Sequence, residues 1–205
     1  FCSQPHPLAQ FPIIPDACIG EVIELENISS TLDDCGNTEY LWEFELLSAD
    51  CHEQDGEVFF ENGNENSESP SVKFLVSGEY LVTLRVTNVC GEATISQPVS
   101  IGQAPQVEID AFDLFCDIAS ISPSYTLNDC GSSVFEWEWD FPTADNKTSS
   151  DSPNPGLVEF GPGTHTIQLT VTNACGTGTA TQALEVQEGP GLDLTLDSFI
   201  CVGNS

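Results

Sequence analysis

Positive charge is nearly missing from this chain. Lys73, Arg85 and Lys147 are its only Lys or Arg residues against 33 Asp and Glu, which leaves a formal charge of −30 over 205 residues. Binding a nucleic acid requires clustered Lys or Arg to displace counter-ions, and anionic membrane surfaces reward the same residues, so both are excluded as partners. No apolar run approaches the roughly 18 residues needed for a membrane-spanning helix, so membrane insertion is not expected. Methionine is absent, and the chain starts at Phe1 with no signal-peptide pattern before it, the expectation for a processed product or a fragment. Only His6, His52 and His165 are available as imidazoles. The motifs GxSxG and HExxH and the phosphate-binding Gly loop do not occur. Cys51-His52 is the one adjacent Cys/His pair, and neighbours on a strand point to opposite faces. Paired carboxylates are expected by chance among so many acids. A non-enzymatic protein is the expectation.

What the chain does have is cysteine, nine in all, with no pair at CxxC spacing. Disulfides in an oxidising compartment are the favoured reading, metal binding the alternative, and a secreted or cell-surface location follows. An odd count leaves at least one thiol free or paired outside the chain.

The chain repeats itself. Leu32-Asp-Asp-Cys-Gly-Asn-Thr-Glu-Tyr-Leu-Trp-Glu-Phe44 returns without a gap as Leu127-Asn-Asp-Cys-Gly-Ser-Ser-Val-Phe-Glu-Trp-Glu-Trp139. Gly78-Glu-Tyr-Leu-Val-Thr-Leu-Arg-Val-Thr-Asn-Val-Cys-Gly91 returns as Gly163-Thr-His-Thr-Ile-Gln-Leu-Thr-Val-Thr-Asn-Ala-Cys-Gly176. Val107–Cys116 returns as Leu192–Cys201, with a first copy ending at Cys18. The units this defines are 1–103, 104–188 and, over 189–205, the first strand of a third repeat or a strand donated to a neighbouring chain.

Each repeat alternates in the manner of half-buried strands. Tyr80, Val82, Leu84 and Val86 form one inward row, and His165, Ile167, Leu169 and Val171 its copy. Tyr40, Trp42, Phe44 and Leu46 form another, matched without a gap by Phe135, Trp137, Trp139 and Phe141, while Glu43, Glu45, Glu136, Glu138 and Asp140 face water. Gly- and Asn-rich turns separate the rows, and no ten-residue stretch carries helical periodicity. The fold class is all-β, a pair of tandem β-sandwiches.

Tyr40-Leu-Trp-Glu-Phe44 followed by Gly78–Asn88 resembles the PKD domain, an immunoglobulin-like sandwich, and so do Trp137–Phe141 and Pro162–Asn173. Both copies lack the family's Gly-Asp-Gly turn. The Asn-x-Cys-Gly variant resembles cysteine-bearing repeats of very large secreted or surface proteins of Bacteroidota, including gliding and attachment adhesins exported by type IX secretion. The resemblance implies a structural and adhesive repeat of an extracellular surface or filament protein. The alternative is a spacer or carbohydrate-contacting region of a secreted hydrolase. Its implied partners are neighbouring repeats, identical chains in an assembly, or a surface glycan or protein.

In such a sandwich Cys35 and Cys130 lie in one loop and Cys90 and Cys175 in another at the same end, implying the pairs Cys35–Cys90 and Cys130–Cys175. Cys18 and Cys51 lie at the opposite end and form a third expected pair, leaving Cys2, Cys116 and Cys201 as candidates for free or external thiols. No cofactor is required. Calcium is the one ligand that the acidity invites, at Glu61, Asn64, Glu65 and Glu68 or at Asp140 and Asp145, with a solvated acidic loop as the competing reading.

Overall fold

A computed structural model describes residues 6–31, 37–51 and 57–190. Every regular element in it is a strand. The first repeat holds β1 (Ala17–Cys18), β2 (Ile23–Glu24), β3 (Glu39–Ala49), β4 (Val58–Asn62), β5 (Ser71–Phe74), β6 (Gly78–Asn88) and β7 (Gly91–Gly102). One sheet has the order β1-β7-β6-β3 and the facing one β2-β5-β4. The short first strand runs parallel to β7, and β6 pairs antiparallel with both β3 and β7. Two antiparallel sheets in this strand order, with the opening strand switched onto the last, are an immunoglobulin-like sandwich.

The second repeat follows the same plan with β8 (Gln106–Ile109), β9 (Phe115–Cys116), β10 (Ala119–Ile121), β11 (Tyr125–Asn128), β12 (Glu136–Asp140), β13 (Ser149–Ser150), β14 (Val158–Phe160), β15 (Gly163–Asn173) and β16 (Gly176–Gln187). Its main sheet reads β13-β12-β15-β16-β9, with β9 parallel to β16, and β11-β8 and β10-β14 make up the opposite layer.

Alternation places the apolar rows inside. Tyr80, Val82, Leu84 and Val86 are fully buried, as are Ile167, Leu169 and Val171. Removing such side chains from water contributes about 1.5–3 kcal/mol each. Each repeat has its own core: one gathers Phe11, Trp42, Phe74 and Tyr80, the other Trp139, Phe141, Phe160 and Leu169.

One row needs correction. Phe135 does not belong to the inward set, being 65% exposed. Trp42 pairs with Leu84 and Trp139 with Leu169, the copy of Leu84, so Trp139 rather than Trp137 is the counterpart of Trp42. The second repeat therefore has two more residues between its loop cysteine and this strand. A two-residue slip keeps every side chain on its face, which is why the gapless sequence match concealed it.

Candidate functional site: the joint between the repeats

Only Gln103, Ala104 and Pro105 separate β7 from β8. So short a link brings the far end of the first repeat against the loop end of the second. Cys18 is bonded to Cys175 and Cys51 to Cys130, with Cα–Cα separations of 5.5 and 5.2 Å. Both bridges cross the joint. The pairs Cys18–Cys51 and Cys130–Cys175 expected within repeats are thus replaced by pairs between them. The ends of the sandwich to which these cysteines belong were legible; that the two ends face each other depends on the linker. Cys35, the expected partner of Cys90, lies outside the described residues, as do Cys2 and Cys201; Cys90 is itself disulfide-bonded. Cys116 is a free, exposed thiol.

The two bridges close loops of 157 and 79 residues. Either alone would be worth about 4–5 kcal/mol in the chain-entropy model, and because one loop is nested inside the other the contributions do not add. Their mechanical effect is plainer: two covalent bonds from separate loops restrict bending and twisting together.

Local backbone chemistry aims the cysteines. In β15–β16 the side-chain oxygen of Asn173 accepts the amide of Cys175 at 2.9 Å, and Asn88 does the same for Cys90 in β6–β7 at 2.9 Å. Asn128 holds the amide of Cys130 at 3.1 Å. These are Asx turns, in which a short amide side chain imitates the backbone. The glycine that follows each hairpin cysteine has φ of +147° at Gly91 and +140° at Gly176, values that a side chain disfavours. The motif Asn-x-Cys-Gly thus presents a thiol at a fixed angle.

Asn173 does more. It is buried, and its Nδ2 donates to the carbonyls of Gln103 at 2.8 Å, Ser132 at 3.0 Å and Asp129 at 3.1 Å. One side chain ties the linker, the loop carrying Cys130 and the hairpin carrying Cys175. Gln103 adds its own amide to the Cys130 carbonyl at 3.1 Å, and Asn128 Nδ2 donates to the Asp50 carbonyl at 3.1 Å. Gly102 fits because a Cβ there would lie 3.0 Å from the sulfur of Cys175. The roles of Asn128, Asn173, Gln103 and Gly102 went unread in the sequence, although the repetition of Asn before Cys-Gly was the available signal.

The joint gathers like charge. Burial first, and then the carboxylates of Glu79 and Asp129, push the Asp50 carboxyl upward from its ordinary value. A cleft of about 490 Å³ opens beside the Cys18–Cys175 bridge, lined among others by Asp16, Glu21, Ser100 and Ser133. A second, of about 590 Å³, lies on the first repeat beside Tyr40 and Arg85, whose guanidinium is shared by Glu43 and Glu92 at 3.6 and 3.8 Å.

The residues considered for calcium are spread over other tasks. Glu61 pairs with Lys73 at 2.7 Å, and the Asn64 side chain accepts the amide of Asn66 at 2.9 Å. The Glu65 carbonyl accepts from the Trp42 amide, and Glu68 accepts from the Tyr40 hydroxyl at 3.4 Å. Asp140 faces outward on β12, and the amide of Asp145 donates to the Glu159 carbonyl. Among the described residues no three His, Cys, Asp or Glu side chains converge on a common point. His165 is bound to the Gly161 carbonyl at 2.8 Å and to Thr143 at 2.7 Å, a packed corner residue. No helix of the described chain is long and apolar enough to cross a membrane.

No protein-family model and no curated protein matches the chain. Among solved structures it is similar to a Dscam chain studied for isoform specificity, with a TM-score of 0.40 and 15% identity over 88% of this chain and 46% of that one. It is also similar to an I-band fragment of titin, with a TM-score of 0.47 and 13% identity over 91% and 67%. The N-terminal four Ig domains of one Dscam1 isoform give 0.41 and 16% over 84% and 43%. The chain spans less than half the length of these Dscam chains.

Proposed function

We propose that this chain is a structural and adhesive repeat module of a large extracellular surface or filament protein. Its domains, 1–103 and 104–188, act as rigid PKD-type spacers set at a fixed angle. The observation that carries this reading is the joint itself, where two disulfides and the Asn173 hydrogen bonds lock one sandwich to the next. Stiffness is a useful property for a stalk that must hold a binding surface away from a cell, and structural disulfides are characteristic of oxidising compartments. The outward Glu and Asp side chains keep neighbouring sheets apart by like-charge repulsion at high local concentration. The reading calls for no cofactor, and calcium enters it only as a counter-ion to this surface.

Small-angle X-ray scattering tests the spacer role. The oxidised chain is expected to give one sharp maximum dimension that is unchanged by salt. Cys18→Ser combined with Cys51→Ser should broaden the distance distribution while leaving the strand signal in circular dichroism intact. An oxidised chain already as broadly distributed as the double variant would refute the rigid-spacer reading.

A further inference from the structure

The first repeat's far end is covered, whereas the described residues at the second repeat's far end are exposed. Gly102, Gln103 and Pro105 are buried in the joint, whereas their copies 85 residues on, Gln187, Glu188 and Pro190, are exposed. Cys18 stands opposite Gly102 on a parallel strand, and Cys116 stands opposite Gln187 in the same register. The amide one residue later donates back to that partner's carbonyl in both repeats, Ile19 to Gly102 at 2.9 Å and Asp117 to Gln187 at 2.8 Å. Strand register at the two cysteines is therefore the same, although the turn that follows is tighter in the second repeat, where Ile118 rather than a residue three positions on donates to the cysteine carbonyl; yet Cys18 is bonded and Cys116 is not. Leu114 and Ile118, flanking the free thiol, are 62% and 66% exposed.

The loop ends also match. A Cβ on Gly91 would strike the His6 ring, and one on Gly176 would lie 3.3 Å from Ala104, so chain enters each repeat along the same path. Pro7 is buried after His6 as Pro105 is after Ala104. The joint is a general fitting, with one end able to receive the other.

From this equivalence we infer that Cys116 is the open half of a second joint and forms a disulfide with the Asn-x-Cys-Gly cysteine of a further repeat of this kind. The inference rests on the tandem-array reading above. The occupant is set by the existing joint: the end bearing Cys18 takes a hairpin in which Asn fixes the cysteine amide and Gly supplies the positive φ. Closure joins two thiols into one disulfide with loss of two protons and two electrons. The electrons pass by thiol–disulfide exchange to a small-molecule disulfide, which is reduced to two thiols. The second joint has a single bridge, because nothing between Phe141 and Ser149 supplies a cysteine to copy Cys51.

Disulfide mapping of the protein from its natural source, alkylated before digestion, tests this. The expected product is a peptide containing Cys116 linked to one containing Asn-x-Cys-Gly from a repeat other than the two described. After a proteolytic nick in the Glu188–Pro190 link, the fragments should stay together without reductant, and Cys116→Ser should let them separate. Alkylated Cys116 in a chain where further repeats follow would overturn the second joint but leave the array intact, as would a bond from Cys116 to Cys2 or Cys201. A source protein without any further repeat would overturn both.

Discussion

In the first repeat the hydroxyl of Tyr80 reaches back to the Val76 carbonyl at 2.9 Å; in the second, at the same corner and with the same separation of four residues, the His165 ring reaches the Gly161 carbonyl at 2.8 Å. The tyrosine corner of immunoglobulin-like sandwiches thus survives replacement of its tyrosine. The carbonyl can only accept, so Nε2 of His165 donates to it, while the other ring nitrogen is hydrogen-bonded to the Thr143 hydroxyl. What the corner demands is a buried donor at that position. At the far ends the contrast is of another kind, since the strand register agrees while Cys18 is engaged and Cys116 free. The two cores vary their residues to keep one structure, and the two ends keep their structure in different states of occupancy.

The strongest challenge to this comparison is a cavity in one core at a time. Trp42→Ala and Trp139→Ala each remove a buried indole and should each cost about 3–5 kcal/mol. Because the cores are separate, each variant should lower one calorimetric transition and leave the other near its original temperature. A single transition that falls equally in both variants would show that the joint fuses the cores into one cooperative unit.

Next in size is Asn173→Ala. It removes a donor shared by three carbonyls and the acceptor of the Cys175 amide, and should cost about 2–3 kcal/mol through buried groups left unpaired. The loss should appear at the joint as faster amide hydrogen exchange at Gln103 and Cys175. Protection unchanged at both would remove Asn173 from its central place.

How far the sequence foretold all this depends on the length scale of the interaction. The rows ending in Val86 and Val171 were readable because a period of two reports directly on which face is buried. The slip placing Trp139 opposite Leu169 was not, because an even shift preserves that pattern. The ends at which the cysteines were expected came from the resemblance to an immunoglobulin-like sandwich. Their pairing did not, because Cys18 meets Cys175 only after two finished domains are set against each other by a three-residue link. Asn173 was visible as part of a motif, but its three carbonyl partners come from segments 41 to 70 residues away.

The corner itself offers a smaller test. Tyr80→Phe leaves the buried Val76 carbonyl without its donor and should cost about 1–2 kcal/mol. His165→Tyr restores the commoner donor and gives up only the bond to Thr143, so its effect should stay within about 1 kcal/mol by urea unfolding. A large loss in the second case would mean that the two corners are not equivalent.

The smallest effect concerns charge at the joint. The Asp50 carboxyl is raised, first by burial and then by Glu79 and Asp129, so the native state holds its proton to higher pH than the unfolded chain. Between the ordinary carboxylate value near 4 and the raised native one, the native state binds more protons, and stability falls as pH climbs through that window. Asp50→Asn should therefore raise the neutral-pH melting temperature slightly and flatten the gain that the parent shows on acidification through the same window. With 33 acids titrating together, only the difference between variant and parent isolates the group. Salt separates the near and far parts of the effect: screening at 1 M, with a Debye length of about 3 Å, should weaken the repulsion from Glu79 and Asp129 but not the burial cost. A difference that vanishes entirely in salt would make Asp50 part of the general surface charge rather than a feature of the joint.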